Sequence, residues 1–167
     1  MIETPLGVLA AAEIAAATRR LGALVIGTSD LTKGLHARET QDRRPLLTAL
    51  GLVLLAGRAH ERAVLDGVHL DLDDAEGFAA SCRQGSELGF DGKTLIHPTQ
   101  IDPANAAFTP GAEEVARARR IIAAYGEAAG GARGAVRIDG RLVEALHVEA
   151  ARRTLALVEA IAAREAG

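Results

Sequence analysis

Ala23-Leu24-Val25-Ile26-Gly27 is a run of five residues without a polar side chain. A strand so short and so apolar expects cover on both faces, the condition of a parallel sheet flanked by helices. Short apolar runs recur along the chain between longer stretches of helical period, so the fold class is α/β, built from repeated strand–helix units. The pattern predicts strands at 1–3, 23–27, 65–70 and 92–96. Helices are expected at 8–20, 46–64, 74–88, 112–128 and 141–164, with Asp73 or Asp74 capping the third. The last of these would carry Val143, Leu146, Ala150, Leu157 and Ile161 on one stripe. Gly130, Gly131 and Gly134 predict a flexible joint before it. Parallel strands need flanking partners, and a strand at 1–3 is short by itself. The chain therefore reads as though something belongs in front of it.

Composition removes several function classes. Lys and Arg total 19 against 22 Asp and Glu, a formal net charge of −3, which excludes a strongly basic nucleic-acid binder. Phe and Tyr total four and Trp is absent, so base-stacking platforms are not expected. Cys82 is the only cysteine, which excludes a disulfide framework and a multi-cysteine zinc site. No apolar stretch approaches a membrane span and no signal peptide opens the chain. The expectation is a cytoplasmic protein with no nucleic-acid or membrane partner.

Glu3 and Asp30 form the strongest chemical pair. Each follows an apolar run and opens a loop, 27 residues apart, about one strand–helix unit. Adjacent strands lie ~4.8 Å apart, close enough for two such carboxylates to share one hard cation. Magnesium suits them, since it takes one or two carboxylates and keeps positions for water and substrate oxygens. The competing reading makes Glu3 a frayed terminal residue and Asp30 the cap of a short helix at 31–35. The segment Gly89-Phe90-Asp91-Gly92-Lys93-Thr94-Leu95-Ile96-His97-Pro98-Thr99-Gln100-Ile101 is the most distinctive in the chain. Either Lys93, His97 and Gln100 face a ligand at a strand end, or His97 fixes the loop and Lys93 is a solvated charge. Cys82 reads as a buried structural thiol. Asp71, Asp73 and Asp74 read as a loop leading into a helix cap. Arg38, Arg43 and Arg44 are either an anion site or a solvated loop. Glu144 sits near the start of the last predicted helix, where the helix dipole also favours an acid.

Met1-Ile2-Glu3-Thr4-Pro5-Leu6-Gly7-Val8, Gly27-Thr28-Ser29-Asp30-Leu31, the Gly89–Ile101 block and Ala107-Phe108-Thr109-Pro110 resemble the citrate lyase beta-subunit family. That group includes malyl-CoA and citramalyl-CoA lyases and lies within the HpcH/HpaI aldolase superfamily. The resemblance implies a (β/α)8 barrel with C-terminal helices, of which this chain matches strands five to eight and the helical extension. The implied division is a half-barrel at 1–110 and an extension at 111–167. By resemblance Glu3 and Asp30 are magnesium ligands, and the backbone N–H groups of Thr28, Ser29 and Asp30 hold substrate oxygens. His97 and Pro98 would lie near coenzyme A. Asp139-Gly140-Arg141-Leu142-Val143-Glu144 resembles a C-terminal motif that usually brings an Asp to a neighbouring subunit's site; here Glu144 stands in its place as the acid/base. The implied activity is retro-aldol cleavage of an acyl-CoA to an oxoacid and a shorter thioester. An acidic motif, an Arg and a Lys expected from the family's first half have no counterpart. The expectation is therefore an N-terminally truncated chain that needs a missing half or forms a homo-oligomer. The alternative is a non-catalytic half-barrel serving as an assembly or regulatory subunit.

Overall fold

The computed structural model describes residues 1–129, 135–138 and 140–166. They separate into two compact units, Met1–Phe108 and Thr109–Gly167.

The first unit is an α/β layer arrangement. β1 (Ala23–Val25), β2 (Ala63–Asp66) and β3 (Gly92–Lys93) pair in parallel in chain order, with Leu24 opposite Val64 and Asp66 opposite Lys93. Ile2 adds a single parallel bridge to Ile26, with Ile2 N–H donating to the Val25 carbonyl at 2.7 Å. A full strand does not form there, because Thr4 turns the chain at once. Its hydroxyl accepts from Gly7 N–H at 3.0 Å, and Pro5 opens α1 (Pro5–Leu9).

The predicted helix at 8–20 is instead two short helices. α1 ends at Ala10, and α2 (Ala11–Ala16) starts there without a side-chain cap. α3 (Thr28–Gly34) follows β1 directly, and α4 (Leu47–Ala59) follows a 3-10 turn at Arg44–Leu46. α4 ends before the predicted 64. Its last turn is closed by Arg62 N–H donating to the Gly57 carbonyl, and β2 begins one residue later, at Ala63. α5 (Ala75–Leu88) has Asp74 as its N-cap, accepting from Gly77 N–H at 2.9 Å. α6 (Ile101–Phe108) is a helix that the apolar pattern did not single out. β2 and β3 also stop short of the predicted 70 and 96.

The core gathers Ile2, Leu24, Ile26, Leu50, Val53 and Val64. The strands differ from expectation in their cover. Leu24 and Val64 are buried, whereas Val25 and Leu65, pointing the other way, are only half-buried. Helix cover is thus complete on one face of the sheet.

The second unit pairs α7 (Ala112–Ala129) with α8 (Ala145–Glu165) around Ala118, Ile121, Val143, Val148 and Ala151. Between them lies an antiparallel hairpin, β4 (Ala135–Ile138) and β5 (Arg141–Glu144), with Val136 opposite Val143. Gly140 has φ +78°, the left-handed conformation a tight turn needs. The helix predicted from 141 therefore begins only at Ala145. Val143 reaches the core from a strand, not from a helical stripe, because residues 141–144 pair with 135–138. The predicted joint at Gly130, Gly131 and Gly134, and Asp139 of the motif, lie outside the described residues.

Candidate functional site

The carboxyl ends of the strands carry the chemistry. The Ile2 bridge sets Glu3 at one strand end, and β1 leads through Gly27 into the first turn of α3, which contains Asp30. Glu3, Thr4, Asp30, Lys33, Gly34 and His36 line one depression, so the two acidic residues border a common space. Gly27 makes room for Glu3. A Cβ at position 27 would stand 2.7 Å from the Glu3 Cβ and 2.8 Å from Glu3 Oε2. Among the described residues no group of three His, Cys, Asp or Glu side chains converges on a metal position. Two hard carboxylates with open positions fit magnesium, which retains waters, and suit zinc or copper poorly.

Thr28 and Ser29, which precede Asp30 in the first turn of α3, border a second space. Together with Thr32 and residues between Arg38 and Leu46 they line a cavity of about 480 Å³, which Val68, His69, Leu70, Asp71 and Asp74 also border. Asp30 is not the cap of α3; it lies inside the first turn, and Gly27 holds the N-cap position. Asp71 accepts from Asp73 N–H at 3.0 Å, the loop role predicted for it.

Lys93 is a correction. Its side chain is fully buried and donates to Asp66 Oδ2 at 3.0 Å, so it is no solvated charge. Burial pulls its ammonium below the ordinary lysine range, against the opposing pull of Asp66. Arg43 closes on the same carboxylate with Nη1 at 2.6 and 2.8 Å from the two oxygens. Sequence reasoning missed this cluster. The available signal was Asp66 itself, an ionisable residue inside an apolar strand run, which demands a partner. The three arginines do not act together: Arg43 is engaged with Asp66, and Arg44 pairs on the surface with Asp42 at 3.0 Å.

His97 and Pro98 lie on an exposed turn. His97 Nδ1 accepts from Thr99 N–H at 3.3 Å, and Pro98 opens the 3-10 turn that follows. Gln100 is buried and does not face solvent. It accepts from Ile96 N–H and donates to the His69 carbonyl, both at 3.0 Å. Cys82 is buried beside Phe78 and Ala104, and burial raises its thiol pKa. Glu144, in the second unit, is exposed at the N-cap of α8, and its backbone N–H donates to His147 Nδ1 at 3.0 Å.

The profile of the HpcH/HpaI aldolase/citrate lyase family matches residues 1–98. The chain belongs to this family. A relative in Cereibacter sphaeroides, a (3S)-malyl-CoA thioesterase, is 51% identical over 163 residues, 98% of this chain and 57% of its own length. The citrate lyase subunit beta of Escherichia coli is 35% identical over 164 residues, 98% of this chain and 54% of its own. Among solved structures, CitE of Mycobacterium tuberculosis in complex with magnesium, acetoacetate and coenzyme A superposes with a TM-score of 0.78. It is 35% identical, with 91% of this chain and 57% of that one covered. The chain thus spans just over half the length of the relatives it matches. The first of these relatives is named for a CoA thioester, and the CitE structure holds both magnesium and coenzyme A.

Proposed function

We propose that this chain supplies strands five to eight and the helical extension of a (β/α)8 barrel that cleaves a carbon–carbon bond in a 3-hydroxyacyl-CoA of the malyl, citramalyl or citryl type. The observation that carries the reading is the pairing of Glu3 with Asp30 at successive strand ends, over the Gly27 gap, in a chain of this family. The chain-order parallel pairing of Ile2, β1, β2 and β3 supports the barrel reading.

Glu3 and Asp30 hold magnesium, which when bound supplies Lewis-acid polarisation of a substrate oxygen. The N–H groups of Thr28, Ser29 and Asp30 orient the carboxylate of the same substrate. His97 and Pro98 flank the coenzyme A moiety from their exposed turn. In the cleavage direction the hydroxyl gives its proton to solvent water and the bond to the thioester α-carbon breaks, its electron pair passing to that carbon and leaving an oxoacid and the enolate of the shorter thioester. Glu144, delivered from a neighbouring subunit, protonates that enolate carbon; in reverse its carboxylate removes the same proton.

A second reading is thioester hydrolysis, favoured by the 51% identity to a (3S)-malyl-CoA thioesterase. The products separate the two. Malyl-CoA with magnesium yields glyoxylate and acetyl-CoA by cleavage, or malate and a free CoA thiol by hydrolysis. Glyoxylate, trapped as a hydrazone, is the expected product when strands one to four of a related barrel are co-expressed with this chain. A stable, folded assembly of the two halves that forms neither product overturns the enzymatic reading in favour of a non-catalytic assembly or regulatory subunit.

A further inference from the structure

Residues 35–46 join α3 to α4 with no regular structure until the 3-10 turn at Arg44–Leu46, yet they wall much of the 480 Å³ cavity beside Thr28 and Ser29. Such a segment has no ladder to hold it and needs another anchor. Arg43 provides one. Its guanidinium reaches both oxygens of the fully buried Asp66, donates through Nε to Gln84 Oε1 at 2.6 Å and points Nη2 at the Ser81 carbonyl at 3.4 Å. Gln84 returns a bond from α5 to the Asp42 carbonyl at 2.7 Å. Gly85 leaves space for the carboxylate, since a Cβ there would lie 2.9 Å from Asp66 Oδ2. The backbone is also unusual at this point: Arg43 has φ +51°, left-handed and not a glycine. A non-glycine residue keeps that conformation when surrounding bonds over-determine it.

We propose that Arg43 is a positioning residue: by clamping Asp66 at the end of β2 it pins residues 35–46 over the strand ends and so fixes the cavity wall presented by Arg38, Thr40 and Gln41. The bound species concerned is the acyl-CoA of the proposed reaction, so that part rests on the function proposed above. Asp66 does not depend on Arg43 alone. Lys93 Nζ and Gly67 N–H also donate to it, at 3.0 and 2.8 Å, so the carboxylate keeps partners when Arg43 is removed. This separates the clamp from the fold.

Hydrogen exchange on the full chain tests it with R43A and R43K. In R43A, the hydrogen-bonded amides of Ala37, Arg44 and Leu46 exchange about tenfold faster while α4 and the second unit keep wild-type rates, as local opening requires. R43K, which keeps the charge but loses the planar fork, falls between. Unchanged exchange at Ala37, Arg44 and Leu46 overturns the proposal. So does acceleration spread evenly through β2, α4 and α5, which marks a residue that only stabilises the fold. Should R43A fail to fold, R43K decides by the same segment. Calorimetry with malyl-CoA and magnesium supplies the second arm. R43A weakens malyl-CoA about tenfold and leaves affinity for magnesium alone unchanged, since Glu3 and Asp30, the proposed ligands, lie outside residues 35–46. Equal malyl-CoA affinity with a loosened segment overturns the cavity-wall role. A wild-type chain that binds no malyl-CoA overturns the function proposed above, and exchange still decides the clamp.

Discussion

Asp30 carries its charge on a short side chain in a helical first turn, with Glu3 approaching from a neighbouring strand end. Replacing Asp30 by Asn keeps the shape and removes a hard anionic ligand. Calorimetry should show magnesium binding to the wild type weakly and to D30N at least ~10-fold less tightly. Equal heats would remove Asp30 from the site. Lys93 makes a different prediction, through pH. Its folded pKa is lowered, chiefly by burial. Between that value and the ordinary lysine range the unfolded chain holds a proton that the folded chain has released. The unfolded state therefore binds more protons, and stability rises with pH through this window. Urea unfolding of wild type and Lys93→Met should show the rise in the first and its loss in the second. Glu3 and Asp30 stand out in the sequence as candidates because each follows an apolar run, and both border one depression. Lys93 does not, because a lysine after a Gly-rich turn looks solvated until a carboxylate from another strand is placed against it.

The elements show where periodicity informs and where it stops. β1 and α7 follow from the apolar pattern, α5 follows with Asp74 as its cap, and α4 follows except for its end. β5 does not: Arg141–Glu144 has the same apolar residues a helix would use, and only pairing with Ala135–Ile138 makes it a strand. The break at Ala10 was equally hidden, since alanine favours helix on both sides of it. At this scale Gln100 ties the loop after β3 to the loop after β2, through Ile96 N–H and the His69 carbonyl. Gln100→Ala should cost about 2 kcal/mol in denaturant unfolding, two buried hydrogen-bonding groups having lost a partner. A change within error would show that water replaces the amide. Cys82, fully buried in α5 with its thiol pKa raised, should resist a thiol reagent until denaturant is added.

For the whole molecule, the proposed chemistry draws on both units, Glu3 and Asp30 from the first and Glu144 from the second. Delivery of Glu144 by a neighbouring subunit predicts an oligomer by light scattering, with activity lost on dilution to monomer. In an active assembly, Glu144→Gln should lower kcat at least ~100-fold and leave magnesium affinity unchanged, since proton transfer is lost and chelation is not. Near-normal turnover would leave Glu144 as the cap of α8 alone.

Gly27 sets a boundary on how this molecule can drift over generations. Carboxylate ligands have substitutes, Asp for Glu or the reverse, and a lineage can pass through them one codon at a time. Position 27 has no such neighbour, because every other amino acid brings a Cβ to within 3 Å of Glu3. The nearest obstacle is the Glu3 Cβ, an atom beside the backbone that cannot swing aside. A library covering every substitution should therefore show each variant displacing Glu3, and with it the bridge between Ile2 and Ile26. The proposed metal pair and the first strand pairing would be lost together, so a descendant altered at this codon would keep neither unchanged.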